Sequence, residues 1–174
     1  MRLKFQSVCL VLFAAVAGVN STLATPLAQQ APSLMVDAVE AEARDFLIKS
    51  IAETPYSALV VQTRVSIRPV VEKKRSGDEP EVVKDEIHTY HARVLETFRG
   101  KSLTHIRYEM VVEAGEGAAL SSTPQILTLC AGPAGFYWPG TGASFPGTKD
   151  FVVIARRAGR EVSSRPPRGF AQCN

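Results

Sequence analysis

Three histidines, a serine in a glycine-rich loop, a pair of glutamates and three cysteines carry whatever reactive chemistry this 174-residue chain has. His88-x-x-His91, with Asp85, Glu86 and His105 nearby, offers the donor types of a metal site. On a strand, however, positions three apart point to opposite faces, so His88 and His91 cannot converge on one ion. His91 and His105 fall on neighbouring predicted strands, but two imidazoles alone make an incomplete site. The reading is exposed strand histidines, with no metal and no cofactor. Ser144 lies in Gly142-Ala143-Ser144-Phe145-Pro146-Gly147. A nucleophile elbow needs glycine two residues to either side of its serine, and Pro146 takes the downstream place. Glu109 and Glu113 could be paired carboxylates, yet nothing around them suggests a cleft, so they read as strand-edge charges. No catalytic residue is assigned.

Two other groups of residues carry more weight. The segment Ala131–Lys149 is rich in Gly and Pro around Phe136, Tyr137, Trp138 and Phe145. These four rings are the candidate ligand-binding residues, as a stacking platform for a sugar or peptide. The alternative is that they plug one end of the sheet as a minor core. The cysteines are read together with the start of the chain. Arg2 and Lys4 precede an apolar run, Val8–Val19, too short to span a bilayer core that takes roughly 20 apolar residues. Cleavage after Ala24 of this signal segment would remove Cys9 and leave Cys130 and Cys173. An even pair in an exported chain reads as one disulfide, and closing a loop of about 40 residues would stabilise by up to about 4 kcal/mol.

Those groups must be positioned by regular elements. Residues 25–32 form a leader, and Ser33 can cap a helix over Leu34–Ala52. There Val36, Val39, Ala43, Phe46, Leu47 and Ile51 recur at helical spacing, and Thr54-Pro55 ends the run. The apolar stripe should pack on the protein's own sheet. Ala58–Val71 alternates with period two, with Leu59, Val61, Thr63, Val65 and Ile67 on the inner face and Gln62, Arg64, Ser66 and Arg68 on the outer one. Glu72–Glu86 is a charge-dense connection. Tyr90, Ala92, Val94 and Phe98 line the next inner face, with Glu96 intruding, and Arg99-Gly100-Lys101 turns the chain into Leu103–Val112. Ile106, Tyr108, Met110 and Val112 then point inward. Glu113–Ser122 is a loop, Pro124–Cys130 a fourth strand and Phe151–Ala155 a fifth, with Arg156-Arg157-Ala158-Gly159 as its turn. A proline-rich tail, Ser163–Asn174, would be stapled back by Cys173.

Strand Val60–Val70, strand Tyr90–Val94, the Glu96-Thr97-Phe98-Arg99-Gly100 turn, a strand through Ile106, and Phe145-Pro146-Gly147-Thr148-Lys149-Asp150-Phe151-Val152-Val153-Ile154 after a cysteine resemble exported bacterial domains of the TIMP-like, netrin-like group. In that pattern Arg99 takes the place of a lysine in a Phe-Lys-Gly turn, and Phe151–Ile154 takes the last strand. The resemblance spans residues 57–157 and implies a five-stranded OB-type barrel. The group's protease inhibitors use an N-terminal cysteine to cap a zinc. Here Thr25 would lead, so that wedge does not carry over.

The expectation is therefore a mainly β fold: a five-stranded antiparallel OB-like barrel or curved sheet with one N-terminal helix. A cystatin-like helix wrapped by a sheet is the alternative. Residues 1–24 form the signal, 25–56 the leader and helix, and 57–174 the barrel and tail. The formal charge of +3 loses the two cations Arg2 and Lys4 on cleavage, which leaves no phosphate-binding footprint and no nucleic-acid partner. No stable membrane anchor remains after cleavage, and the protein is periplasmic or secreted. The function expected is a non-enzymatic binding module for a protein or glycan, meeting its partner through Glu72–Glu86 and Phe136–Phe145. The alternatives are a cell-envelope hydrolase using Ser144, Glu109 or the histidines, or a structural subunit of an envelope assembly.

Overall fold

The computed structural model describes residues 31–70, 84–140, 142–169 and 173. The expected signal segment, Cys9, the leader as far as residue 30, the side chain of Val36 and most of the charged connection (71–83) lie outside the described residues. Among the described residues two helices and six strands follow one another as α1 (Ala31–Glu53), β1 (Tyr56–Pro69), β2 (Asp85–Arg99), β3 (His105–Glu113), β4 (Gln125–Gly132), β5 (Gly135–Tyr137), β6 (Ser144–Pro146) and α2 (Lys149–Val162). The protein is mainly β.

Five of the strands close a ring in the order β1-β2-β3-β5-β4 and back to β1, and β6 lies beside β4. Every pairing is antiparallel except β3–β5, where Tyr108 meets Phe136 and Glu109 meets Tyr137. The sheet thus closes on itself instead of merely wrapping α1. Its interior is filled by Tyr56, Ala58, Val60, Tyr90, Ala92, Ile106, Tyr108, Leu127 and Leu129. A second core lies between the outer face of the barrel and the two helices: Leu47 and Ile51 of α1, Phe151, Val152, Ala155 and Ala158 of α2, and Phe98, Ile126 and Phe145 from the sheet.

Irregularities in the β1–β2 pair let one long hairpin serve both cores. Its register slips at three places, Ser57/Ala58, Leu59/Val60 and Gln62/Arg64. Each slip leaves an extra residue, which reverses the facing of the residues beyond it on that strand. Thr63 is the extra residue on β1, so Tyr56, Ala58 and Val60 face the interior, while Leu59 packs against the helix core. The inner face expected from Leu59 to Ile67 therefore applies only beyond Thr63, where Val65 packs against the barrel core. Gln62, expected on the outer face, instead donates to the Tyr108 hydroxyl at 2.7 Å and accepts from the Ser121 amide at 2.7 Å. On β2, Leu95 is the extra residue between Val94 and Glu96. Past it, Phe98 sits in the helix core and Glu96 accepts two hydrogen bonds from Arg156 of α2, both 2.7 Å. That is why a glutamate interrupts the apolar alternation.

Two further expectations are corrected. Phe151–Ala155 is not a strand, and Arg156–Gly159 is not its turn: both belong to α2. Phe151, Val152, Ala155, Ala158 and Gly159 are buried at helical spacing, Thr148 holds the N-cap position and Asp150 adds a favourable charge to the first turn. The stretch that stood for the last strand in the family resemblance is thus helical, and the described residues hold two helices rather than one. The charged connection also ends earlier than Glu86, since Asp85 and Glu86 already pair with Glu113 and Val112.

Cys130 and Cys173 form a disulfide across a separation of 43 residues. It ties the tail to β4. No described helix is long and apolar enough to cross a membrane.

Candidate functional site

The four aromatic residues of the Gly/Pro-rich segment do not share one surface. Phe136 and Trp138 turn toward the barrel core, Phe136 against Tyr56 at 4.5 Å between ring centroids and Trp138 against Tyr108 at 6.1 Å. Tyr137, between them, stands on the opposite side of β5, paired in register with the disulfide-bonded Cys130 and touching Gly132. Phe145 belongs to the helix core, 6.1 Å from Phe46. The period of two on a strand explains the split between Phe136 and Tyr137. As a continuous stacking platform the set is dispersed, although Phe136, Tyr137 and Trp138 each keep part of their surface accessible.

The histidines separate as strand geometry requires. His88 is not exposed, as expected from sequence, but buried at 1 %, because it shares the inward face of β2 with Tyr90 and Ala92. Its Nε2 lies 3.3 Å from a Glu86 oxygen. His91 faces the other way, with its Nε2 3.0 Å from Arg64 Nη2, and an arginine can only donate there. His105 stands opposite Arg93, not His91. Ser144 borders a shallow cavity of about 580 Å³ with Thr123, Gln125, Phe145 and Thr148, and no imidazole or carboxylate lines it. Glu109 pairs with Arg107, and Glu113, four residues on, is roughly 13 Å away along the strand, too far for a carboxylate pair to act on one bond. Among the described residues no three His, Cys, Asp or Glu side chains converge on a point.

A more fully built site lies where β2 ends. A cavity of about 400 Å³ is walled by Thr97, Arg99, Gly100 and Ser102 from the end of β2 and its turn, and by Ser163 and Arg165 from the tail after α2. The backbone determines its shape. Gly100 has φ +89°, and a Cβ there would come within 2.8 Å of the Pro55 carbonyl oxygen, so the turn presses against the α1–β1 junction as only glycine allows. The register slip at Ser57/Ala58 places Arg99 opposite Ser57, on the outer face of the barrel.

Arg99 is 7 % exposed. Its Nη2 donates to the Arg165 carbonyl at 2.9 Å, while Nη1 is buried without a partner. Among the described residues no carboxylate reaches it. Burial presses its pKa downward, but a guanidinium remains charged at any physiological pH. The Ser57 hydroxyl, on the paired residue, is likewise buried and unpartnered. The Thr97 and Tyr56 hydroxyls are close neighbours that fall outside hydrogen-bonding geometry. A buried cation with an unpartnered donor and, among the described residues, no counter-ion is costly in isolation, by several kcal/mol as an order of magnitude. From sequence Arg99 has only the role of a turn residue. The one available signal is its position at the end of an apolar strand before glycine, which does not distinguish a solvated arginine from a buried one.

Fold and site together define a disulfide-stapled, barrel-like β domain flanked by a helix pair, with a cationic cavity at one turn. No family model matches the chain, and no curated protein or solved structure matches it either.

Proposed function

We propose that this chain is an exported, non-enzymatic binding module built on an OB-like barrel. The observation that carries the reading is the Arg99 cavity: its wall offers hydroxyls, backbone groups and guanidinium, which bind, and no side chain of the kind that exchanges a proton near neutral pH. The barrel interior is occupied by its own side chains, so a partner meets turns and loops. A five-stranded ring closed by mixed pairing fits the OB type, whose members bind diverse ligands, and fold alone names none of them. The disulfide supports an oxidising, extracytoplasmic setting. The partner is a protein segment or a glycan.

The test is to screen the disulfide-bonded chain, without residues 1–24, on peptide and glycan arrays, and to assay it for hydrolysis of ester, glycoside and peptide substrates. Saturable binding without turnover is expected. Turnover that disappears in Ser144→Ala or His105→Ala would establish the hydrolase instead. One observation favours the structural-subunit reading: Val39, Ile48 and Val153 on the helices are 67 %, 42 % and 54 % exposed. If Ile48→Glu shifts the mass in size-exclusion light scattering from oligomer to monomer, the helix pair is an assembly surface.

A further inference from the structure

The structure points to what the Arg99 cavity takes. We propose that it is an oxyanion site, with Arg99 as the binding residue and a carboxylate of the bound protein segment or glycan as the group bound. The inference rests on the binding-module reading and adds the ligand's chemical class.

Arg99 lines the cavity beside the hydroxyl-bearing Ser102 and Ser163; its Nη2 is committed to the Arg165 carbonyl and its Nη1 is buried without a partner, so among the described residues the charge behind this wall has no counter-ion. Guanidinium and oxyanion form charge-assisted hydrogen bonds, stronger than those between neutral groups. The single buried cation calls for a single negative charge, which suits a carboxylate better than a doubly charged phosphate. The other cation on the wall, Arg165, is exposed and adds attraction that salt screens. Bound carboxylate would give the guanidinium the counter-ion it otherwise lacks, and that difference drives binding. At about 400 Å³ the space exceeds a bare carboxylate, so the ligand brings a body of a few further heavy atoms. The tail is part of the wall through Ser163 and Arg165, and the disulfide at Cys173 holds the same tail to β4.

The experiment titrates the full disulfide-bonded chain, with ¹⁵N-labelled arginine side chains, against sodium acetate, with sodium chloride at matched ionic strength and inorganic phosphate as separate arms. A saturable shift of the Arg99 Nε–H resonance with acetate, absent with chloride and weaker with phosphate, is the expected result. Arg99→Lys should weaken acetate binding about tenfold, since lysine lacks the planar fork. Ser102→Trp, at an exposed turn position, leaves Arg99 in place and fills the cavity, and should abolish the saturable shift. A linear response, an unchanged affinity in Ser102→Trp, or phosphate binding more tightly than acetate overturns the assignment. If array partners still bind while acetate has no site, the carboxylate assignment alone falls. Absence of every saturable partner removes the reading beneath it.

Discussion

Gly159→Ala tests the docking of α2 on the barrel, because two effects of opposite sign compete at that position. In an exposed helix interior alanine is favoured over glycine by about 1 kcal/mol. Here a Cβ would stand 2.2 Å from the Phe98 carbonyl oxygen and 3.0 Å from its carbon, and neither backbone atom can rotate away. Ordinary contact begins near 3.4 Å, so α2 must lift from β2 by about 1 Å. A gap of that size forfeits a quarter to a half of the dispersion contact at the seam. Phe151 and Val152 are buried there, and full burial of each stabilises by roughly 1.5–3 kcal/mol. The loss is then about 1–3 kcal/mol, and subtracting the propensity gain leaves net destabilisation of up to about 2 kcal/mol. In thermal unfolding that lowers the midpoint by up to roughly 8 °C. Urea titration of the wild type and the variant at equal m-value provides the check. A variant more stable than wild type by about 1 kcal/mol would mean that α2 does not lie on Phe98, and the two-core description would fail with it.

Burial pushes the Tyr108 phenol up to about 12, with Tyr90 adding to the rise and the Gln62 hydrogen bond opposing it. The unfolded chain loses that proton near pH 10, so stability is complete below pH 10 and falls by roughly 2–3 kcal/mol between pH 10 and 12, a slope that Tyr108→Phe should reduce in urea titrations. Gln62→Leu strands the Tyr108 hydroxyl and the Ser121 amide together, with an expected cost of about 1–3 kcal/mol in the same measurement. Reducing Cys130–Cys173 should cost up to about 4 kcal/mol, and a thiol count on denatured, unreduced protein lacking residues 1–24 should find none free.

Spacing alone is enough where one periodicity runs without interruption: the later turns of α1 through Ala43, Phe46, Leu47 and Ile51, the inward side of β3 and the buried run of β4 are legible that way, whereas Val39, expected in the same packed stripe, is exposed. Spacing fails at Thr63 and Leu95, because one extra residue shifts the facing of a strand without changing its composition. Phe151–Ala155 shows another limit: a short run of Phe, Val and Ile suits strand and helix alike. The helical answer comes from Ala155, Ala158 and Gly159, where the expected turn continues the same buried stripe. Arg99 is legible as a residue and not as a site, since its burial depends on the tail passing over it from some sixty residues later. The aromatic residues stand out as a group, but strand alternation and the two cores send them to different places.

β4 has five consecutive buried residues, Ile126 to Cys130, with Ile126 among the helix-side residues and Leu127 and Leu129 among those inside the ring. One strand is therefore a common wall between two compartments, and neither compartment can loosen without moving it. The ring and the helix pair should melt as a single cooperative unit, so damage introduced on either side reads out as lost stability of the whole molecule.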